Sequence, residues 1–177
     1  MFAVVFEVRP RVGAMDDYLG HAAVLRPELL GIDGFLSNER FACRDGSGWL
    51  VSLSVWRDEK ALIRWRTHAL HHAIQGKGRS SVFADYHLRV GEVVGEFPEH
   101  RFDVTEAAMK FLTITEGAVE GFESITRPGH GLCLQSWPDL LAAEAFVAER
   151  PGRHRVVRVI RDYGMFVRDE APQYFPP

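Results

Sequence analysis

The chain has 177 residues, of which 46% are hydrophobic and 25% charged, with a net charge of −3. This composition supports a buried core in one domain or two small ones, and the absence of a long run of one sign argues against nucleic acid or an anionic membrane as partner. No apolar run approaches the ~20 residues of a membrane-spanning helix. The N-terminal MFAVVFEVRPRVG is interrupted by Glu7 and Arg9 too early for a secretion signal, and Cys43 and Cys133 read as reduced core thiols, so a cytoplasmic protein is expected.

Residues 2–9 (FAVVFEVR) have the length and β-branched content of a strand apolar on both faces, ended by Pro10 and Gly13. Apolar positions from Ala14 to Leu30 suit a core-facing helix, with Pro27 predicting a kink or an irregular last turn. FLSNERFACRD (35–45), DGSG (45–48) and WLVSLSVW (49–56) read as a hairpin. Asp58 is placed to cap a helix that starts at Glu59 and carries Leu62, Trp65, Leu70 and Ile74 before Gly76 and Gly78. A last strand lies within 80–94. The polar residues 95–109 read as a linker. KFLTITEG (110–117) begins a second unit. The next segment, AVEGFESITRPGH, is too short for a full helix and strand and predicts a strand with a vestigial helix. GLCLQSW, a helix over 139–150 and a closing strand within 155–168, interrupted near Gly164, complete this unit. Tyr174 and Phe175 are expected to pin the tail, 169–177, to the body.

One segment is stated twice. LVSLSVWRDEKALIRW (50–65) and LCLQSWPDLLAAEAF (132–146) both run alternating apolar residues into a Trp, place an Asp two residues later, and end an Ala-containing helical stretch in an aromatic. The repeated hand-over from strand to helix indicates a duplicated unit. Strand, helix, hairpin, helix, strand is the order of an α+β, ferredoxin-like fold. Its strands are apolar on both sides, so two sheets are expected to pack open face to open face as an α/β-barrel. A tandem chain can build that barrel from a first unit (1–94) and a degenerate second unit (110–168). The truncated second half leaves room for self-association into a homodimer.

The stretch Trp65-Arg66-Thr67-His68-Ala69-Leu70-His71-His72-Ala73-Ile74-Gln75-Gly76-Lys77-Gly78-Arg79, followed by Tyr86-His87-Leu88-Arg89-Val90, resembles the antibiotic biosynthesis monooxygenase (ABM) domain family. The likeness is close over 2–94 and faint over 110–168. It implies a ferredoxin-like barrel of the dimeric type, in a family that includes cofactor-independent oxygenases of polyphenolic substrates and haem-degrading enzymes. Haem degradation is disfavoured, because the first strand has no Asn and holds Glu7 where the haem-degrading relatives use one.

The concentrated chemical feature is Trp65-x-x-His68-x-x-His71-His72. On one continuous helix His68 and His72 share a face. No H-E-x-x-H and no third ligand accompany them, so no metal is expected. An imidazole titrating near ~6.5 suits proton abstraction from a phenol or an acidic carbon, which makes His71 or His68 the candidate base, with Trp65 shaping the site. The competing account makes Trp65 a core residue and the histidines a solvated helix end. Glu7, His72, Arg79 and Tyr86 are candidates for contacting substrate. Glu7 shares a strand face with Ala3, Val5 and Arg9, and Arg9 is its expected ion-pair partner. Gly76-Lys77-Gly78-Arg79 lacks the strand–loop–helix context of a phosphate loop. Two functions compete: a cofactor-free monooxygenase of a small aromatic or quinol-type molecule held in an apolar barrel pocket, and a non-enzymatic barrel that binds a small apolar ligand.

Overall fold

The computed structural model of the protein describes residues 1–97, 100–101 and 110–172. The first half contains β1 (Phe2–Pro10), α1 (Met15–Leu30), β2 (Phe35–Cys43), β3 (Leu50–Trp56), α2 (Glu59–Thr67), α3 (Ala69–Lys77), a π-helical turn (Gly78–Val82) and β4 (Phe83–Phe97). The second contains β5 (His100–Arg101), β6 (Lys110–Glu116), β7 (Phe122–Ser124), β8 (Gly131–Trp137), α4 (Leu140–Ala148) and β9 (Arg153–Gly164). Sheet order is β1-β3-β2-β7-β8-β6-β9-β4-β5, and an added β1–β4 pairing closes the sheet into a barrel, with β5 attached to β4 as a short flap. Both halves contribute to one ring, so the fold is the α+β, ferredoxin-like barrel made within a single chain.

Alternation along the strands separates two environments. Ala3, Val5, Phe41, Val51, Leu53, Val93, Leu112, Ile114, Leu132, Val157 and Val159 fill the barrel interior. Charged groups close its two ends: Arg89 donates to Glu7 at one, and Arg155 pairs with Glu96 and Glu116 at the other. Outside the barrel, α4 covers the second half, with Ala143 and Val147 buried against Phe111 and Val156. The other helices cover the first half. Gly91 lies where β4 pairs with both β1 and β9 and the register to β9 shifts; a Cβ there would stand 2.4 Å from the Arg158 carbonyl oxygen, so the strands can meet this closely only at glycine.

The strand-to-helix hand-over takes a similar form in both halves. Asp58 caps α2 by accepting from Ala61 N at 2.8 Å, and Asp139 caps α4 by accepting from Ala142 N at 2.8 Å. The preceding tryptophans both anchor their indole N–H on a hydroxyl, Trp56 on Ser54 at 2.9 Å and Trp137 on Thr113 at 3.0 Å.

Four sequence expectations need correction. No helix forms between β6 and β8: Gly117, Gly121 and Gly129 take positive φ, and the Ser124 hydroxyl accepts from the Thr126 and Arg127 amides, which leaves the three-residue β7 alone. The helix from Glu59 is not continuous; it stops at Thr67 and resumes at Ala69, with His68 extended at ψ 125°. The ion-pair partners of Glu7 are Arg89 and His87 on the adjacent β4, not Arg9, which lies over the Trp49 ring. Residues directly opposite on paired strands approach more closely than i and i+2 on one strand, and Glu7 stands opposite His87. Finally, the barrel interior is packed, and the cavity lies outside it, under the helices. The expected linker, 95–109, is described only at 95–97 and 100–101, and the anchoring expected of Tyr174 and Phe175 lies outside the described residues. Among the described residues no helix is long and apolar enough to cross a membrane.

Candidate active site between helices and sheet

The cavity holds about 250 Å³ between the outer face of the first-half sheet and the roof formed by α1, α2 and α3. Its floor is set by strand register. One cross-strand row reads Arg40, Ser52, Phe6, Leu88, Tyr163 across β2, β3, β1, β4 and β9, and the next reads Asn38, Ser54, Val4, Val90, Arg161. The floor is thus polar over β2 and β3 and apolar over β1 and β4. Leu25, Leu29, Leu62, Ile63 and Ile74 supply an apolar roof, with Tyr18 from α1 facing the polar half.

Trp65 and His71 meet on the cavity wall because the chain breaks at His68. Their rings stack at 4.2 Å and 18°. The Trp65 carbonyl, one of the last of α2, is left without a helical partner by the break. It accepts from His68 N at 3.2 Å and lies 2.9 Å from His71 Nδ1. A carbonyl can only accept, so the proton sits on Nδ1 and His71 Nε2 keeps its lone pair. Burial, with smaller repulsions from His68 and His72, pushes the His71 pKa down to about 4 against the support of that hydrogen bond. His71 is therefore a neutral imidazole at pH 7, with Nδ1 fixed and the lone pair on Nε2.

The remaining candidates are dispersed. His68 leaves the cavity: its Nε2 lies 3.4 Å from the Glu28 carboxylate, and its buried Nδ1 has no hydrogen-bond partner among the described residues. His72, Arg79 and Tyr86 line an adjoining recess of about 220 Å³, where Arg168 donates to the Tyr86 hydroxyl. Glu7 faces the barrel interior. Burial alone would raise its carboxyl, but its hydrogen bond to His87 and the Arg89 guanidinium hold it below the ordinary carboxylate range. Arg40, Asn38, Ser52 and Ser54 escaped the sequence reading. Their signal was the pair of serines alternating through the otherwise apolar LVSLSVW. Among the described residues, no three His, Cys, Asp or Glu side chains converge as a metal would require.

The Antibiotic biosynthesis monooxygenase (ABM) pattern matches residues 1–77, a span that ends at the last residue of α3 and includes both Trp65 and His71. Over 216 aligned positions the sequence is 38% identical to Jasmonate monooxygenase ABM of Pyricularia oryzae, covering 100% of this chain and 99% of the relative. The chain belongs to the antibiotic biosynthesis monooxygenase family. A shorter likeness, 38% identity over 60 residues, links 34% of the chain to 51% of the uncharacterized protein YqjZ of Bacillus subtilis. The solved structure of FN1347 from Fusobacterium nucleatum superposes with a TM-score of 0.50 at 6% identity, over 91% of this chain and 93% of that one, a likeness of fold alone. The ABM resemblance of the His-rich helix and the barrel expected from it are both borne out, and the fungal relative extends the match through the second half.

Proposed function

We propose that this ABM-family chain is a cofactor-independent monooxygenase that binds a small, largely apolar molecule of aromatic or quinol type above the sheet, with His71 as base. The observation that carries this is a half-buried imidazole whose Nδ1 is fixed on the Trp65 carbonyl, leaving the lone pair on Nε2, stacked on Trp65 at the wall of a mainly apolar cavity. The imidazole takes a proton from a carbon acidified by an adjoining ring or carbonyl. The carbanion gives one electron to O₂, the two radicals combine as a peroxide, and loss of water leaves a ketone. A CH₂ group plus O₂ thus becomes C=O plus H₂O, with every electron drawn from the substrate. An imidazole with a pKa near 4 is a weak base. The proton moves as the substrate's negative charge develops beside it, which favours the imidazolium.

The test is oxygen uptake by chelator-treated protein over hydroquinones, anthrone-type phenols and, because the fungal relative is named for it, jasmonate. Uptake should survive chelation and fall on the order of 10²–10⁴-fold in His71→Ala, while His68→Ala stays close to wild type. Uptake retained in His71→Ala removes the base. Tight binding without any uptake favours the ligand-binding barrel instead.

A further inference from the structure

The polar half of the cavity floor is built from donors. Arg40 lines the cavity, its Nε is buried with no hydrogen-bond partner among the described residues, and its guanidinium interacts with the Tyr18 hydroxyl. No ion pair joins Arg40 to a carboxylate among the described residues; Glu59, the acidic residue on the cavity wall, is exposed at the first turn of α2. The neighbouring hydroxyls point the same way. Ser52 Oγ already accepts from Asn38 Nδ2 at 2.9 Å and Ser54 Oγ from Trp56 Nε1 at 2.9 Å, so each serine's own proton is left to donate. Tyr18, facing the Arg40 donor, is left with an O–H to give. A partly buried cation among spare donors is costly until an anion arrives.

We propose that Arg40, with Tyr18, Ser52 and Ser54, forms an anion subsite that seats the carboxylate of an amphiphilic acid. This rests on the cavity being the substrate site, as argued above. The planar guanidinium matches the two oxygens of a carboxylate, and the hydrocarbon body extends along the row over Phe6 and Leu88. Strand spacing sets the scale: Phe6 lies two strands from Arg40, roughly 10 Å. The subsite therefore suits acids in which the apolar group follows closely on the carboxylate. Around Tyr163, at the far end of the row, Arg66, Arg161 and Arg168 add positive potential, and Arg66 and Arg168 also line the adjoining recess, which favours entry of an anion.

The test is calorimetric titration with 1-naphthaleneacetate and its methyl ester, which differ in charge but little in shape. Wild-type protein should bind the acid at least about tenfold more tightly than the ester. Arg40→Leu should bind both alike, a cooperative melting curve showing that it folds; Arg40→Lys should keep part of the preference. Equal binding of acid and ester by wild type, persistence of the preference in Arg40→Leu, or no binding of the acid at millimolar concentration overturns the subsite. If Arg40→Leu does not fold, Arg40→Lys decides: a preference as large as that of wild type overturns the subsite. Because the readout is binding, the two ideas fail separately. Oxygen uptake on neutral substrates without acid preference leaves the monooxygenase standing, and acid preference without uptake on any substrate leaves the subsite standing.

Discussion

His71 and His87 are driven in opposite directions by their surroundings. His71 is packed against an indole and its partial burial pushes it down to about 4. His87 is held above its ordinary value by hydrogen bonds to Glu7 and Asp162, against the burial that opposes them. Between about 4 and ~6.5 the unfolded chain binds the proton that His71 refuses, so stability falls as pH drops through that window, by a few kcal/mol at most. His87 gives the opposite limb: its contribution is complete below ~6.5 and is lost as pH rises through its raised folded value. Glu7, held low, contributes above ~4.5 and loses that contribution as pH falls through its folded value. Melting temperature followed against pH should show the acid limb flattened in His71→Phe and the alkaline limb flattened in His87→Gln. Trp65 and His71 were singled out in the sequence by the Trp-x-x-His-x-x-His pattern. Their stacking was not legible, because residues six apart on a continuous helix do not share a face and only the break at His68 brings the rings together. Arg40 and Ser52 were not singled out, because a polar residue in a half-apolar strand reads equally as solvated. Only the register to Phe6 places them under a roof.

At the level of elements, the two aspartate caps accept the same backbone bond and sit on helices of different worth. Replacing Asp58 or Asp139 by Ala should cost about 1 kcal/mol each, read as a shift in the denaturation midpoint. Only the Asp58 change should also weaken ligand binding, because α2 carries Leu62, Ile63 and Trp65 of the cavity. Gly91→Ala should destabilise more than either cap loss, since the added methyl meets the Arg158 backbone rather than a side chain that can turn aside; a fall in melting temperature beyond that of Asp58→Ala checks this. Strand–helix hand-overs were legible because Trp, Asp and the apolar period all mark the same boundary. The break at His68 was not. No glycine or proline marks it, and it is held by the two bonds that converge on the Trp65 carbonyl, a tertiary arrangement with no local signature.

Across the whole molecule, the two halves are joined by unequal seams. β4 and β9 share ten paired positions, whereas β2 and β7 share three. The short seam is reinforced by Arg127 on Glu39 and by Arg44 on Glu123 at 3.7 Å, exposed pairs that salt screens. Amide exchange should therefore be fastest across β2–β7 and quicken further in high salt, while β4–β9 stays protected. A chain cut after residue 97 would leave β2 and β4 as bare edges over an apolar inner face, and light scattering should find it associated rather than monomeric. The short seam also reaches the cavity. Ile125 N donates to the Arg40 carbonyl at 3.0 Å, and Ser124 stands opposite Phe41, the next residue on β2. The half of the protein with no α1 to roof a cavity of its own thus acts as a clamp on the workpiece: it holds by its edge the strand whose outer face carries the guanidinium, and loosening it would blur the aim of that side chain.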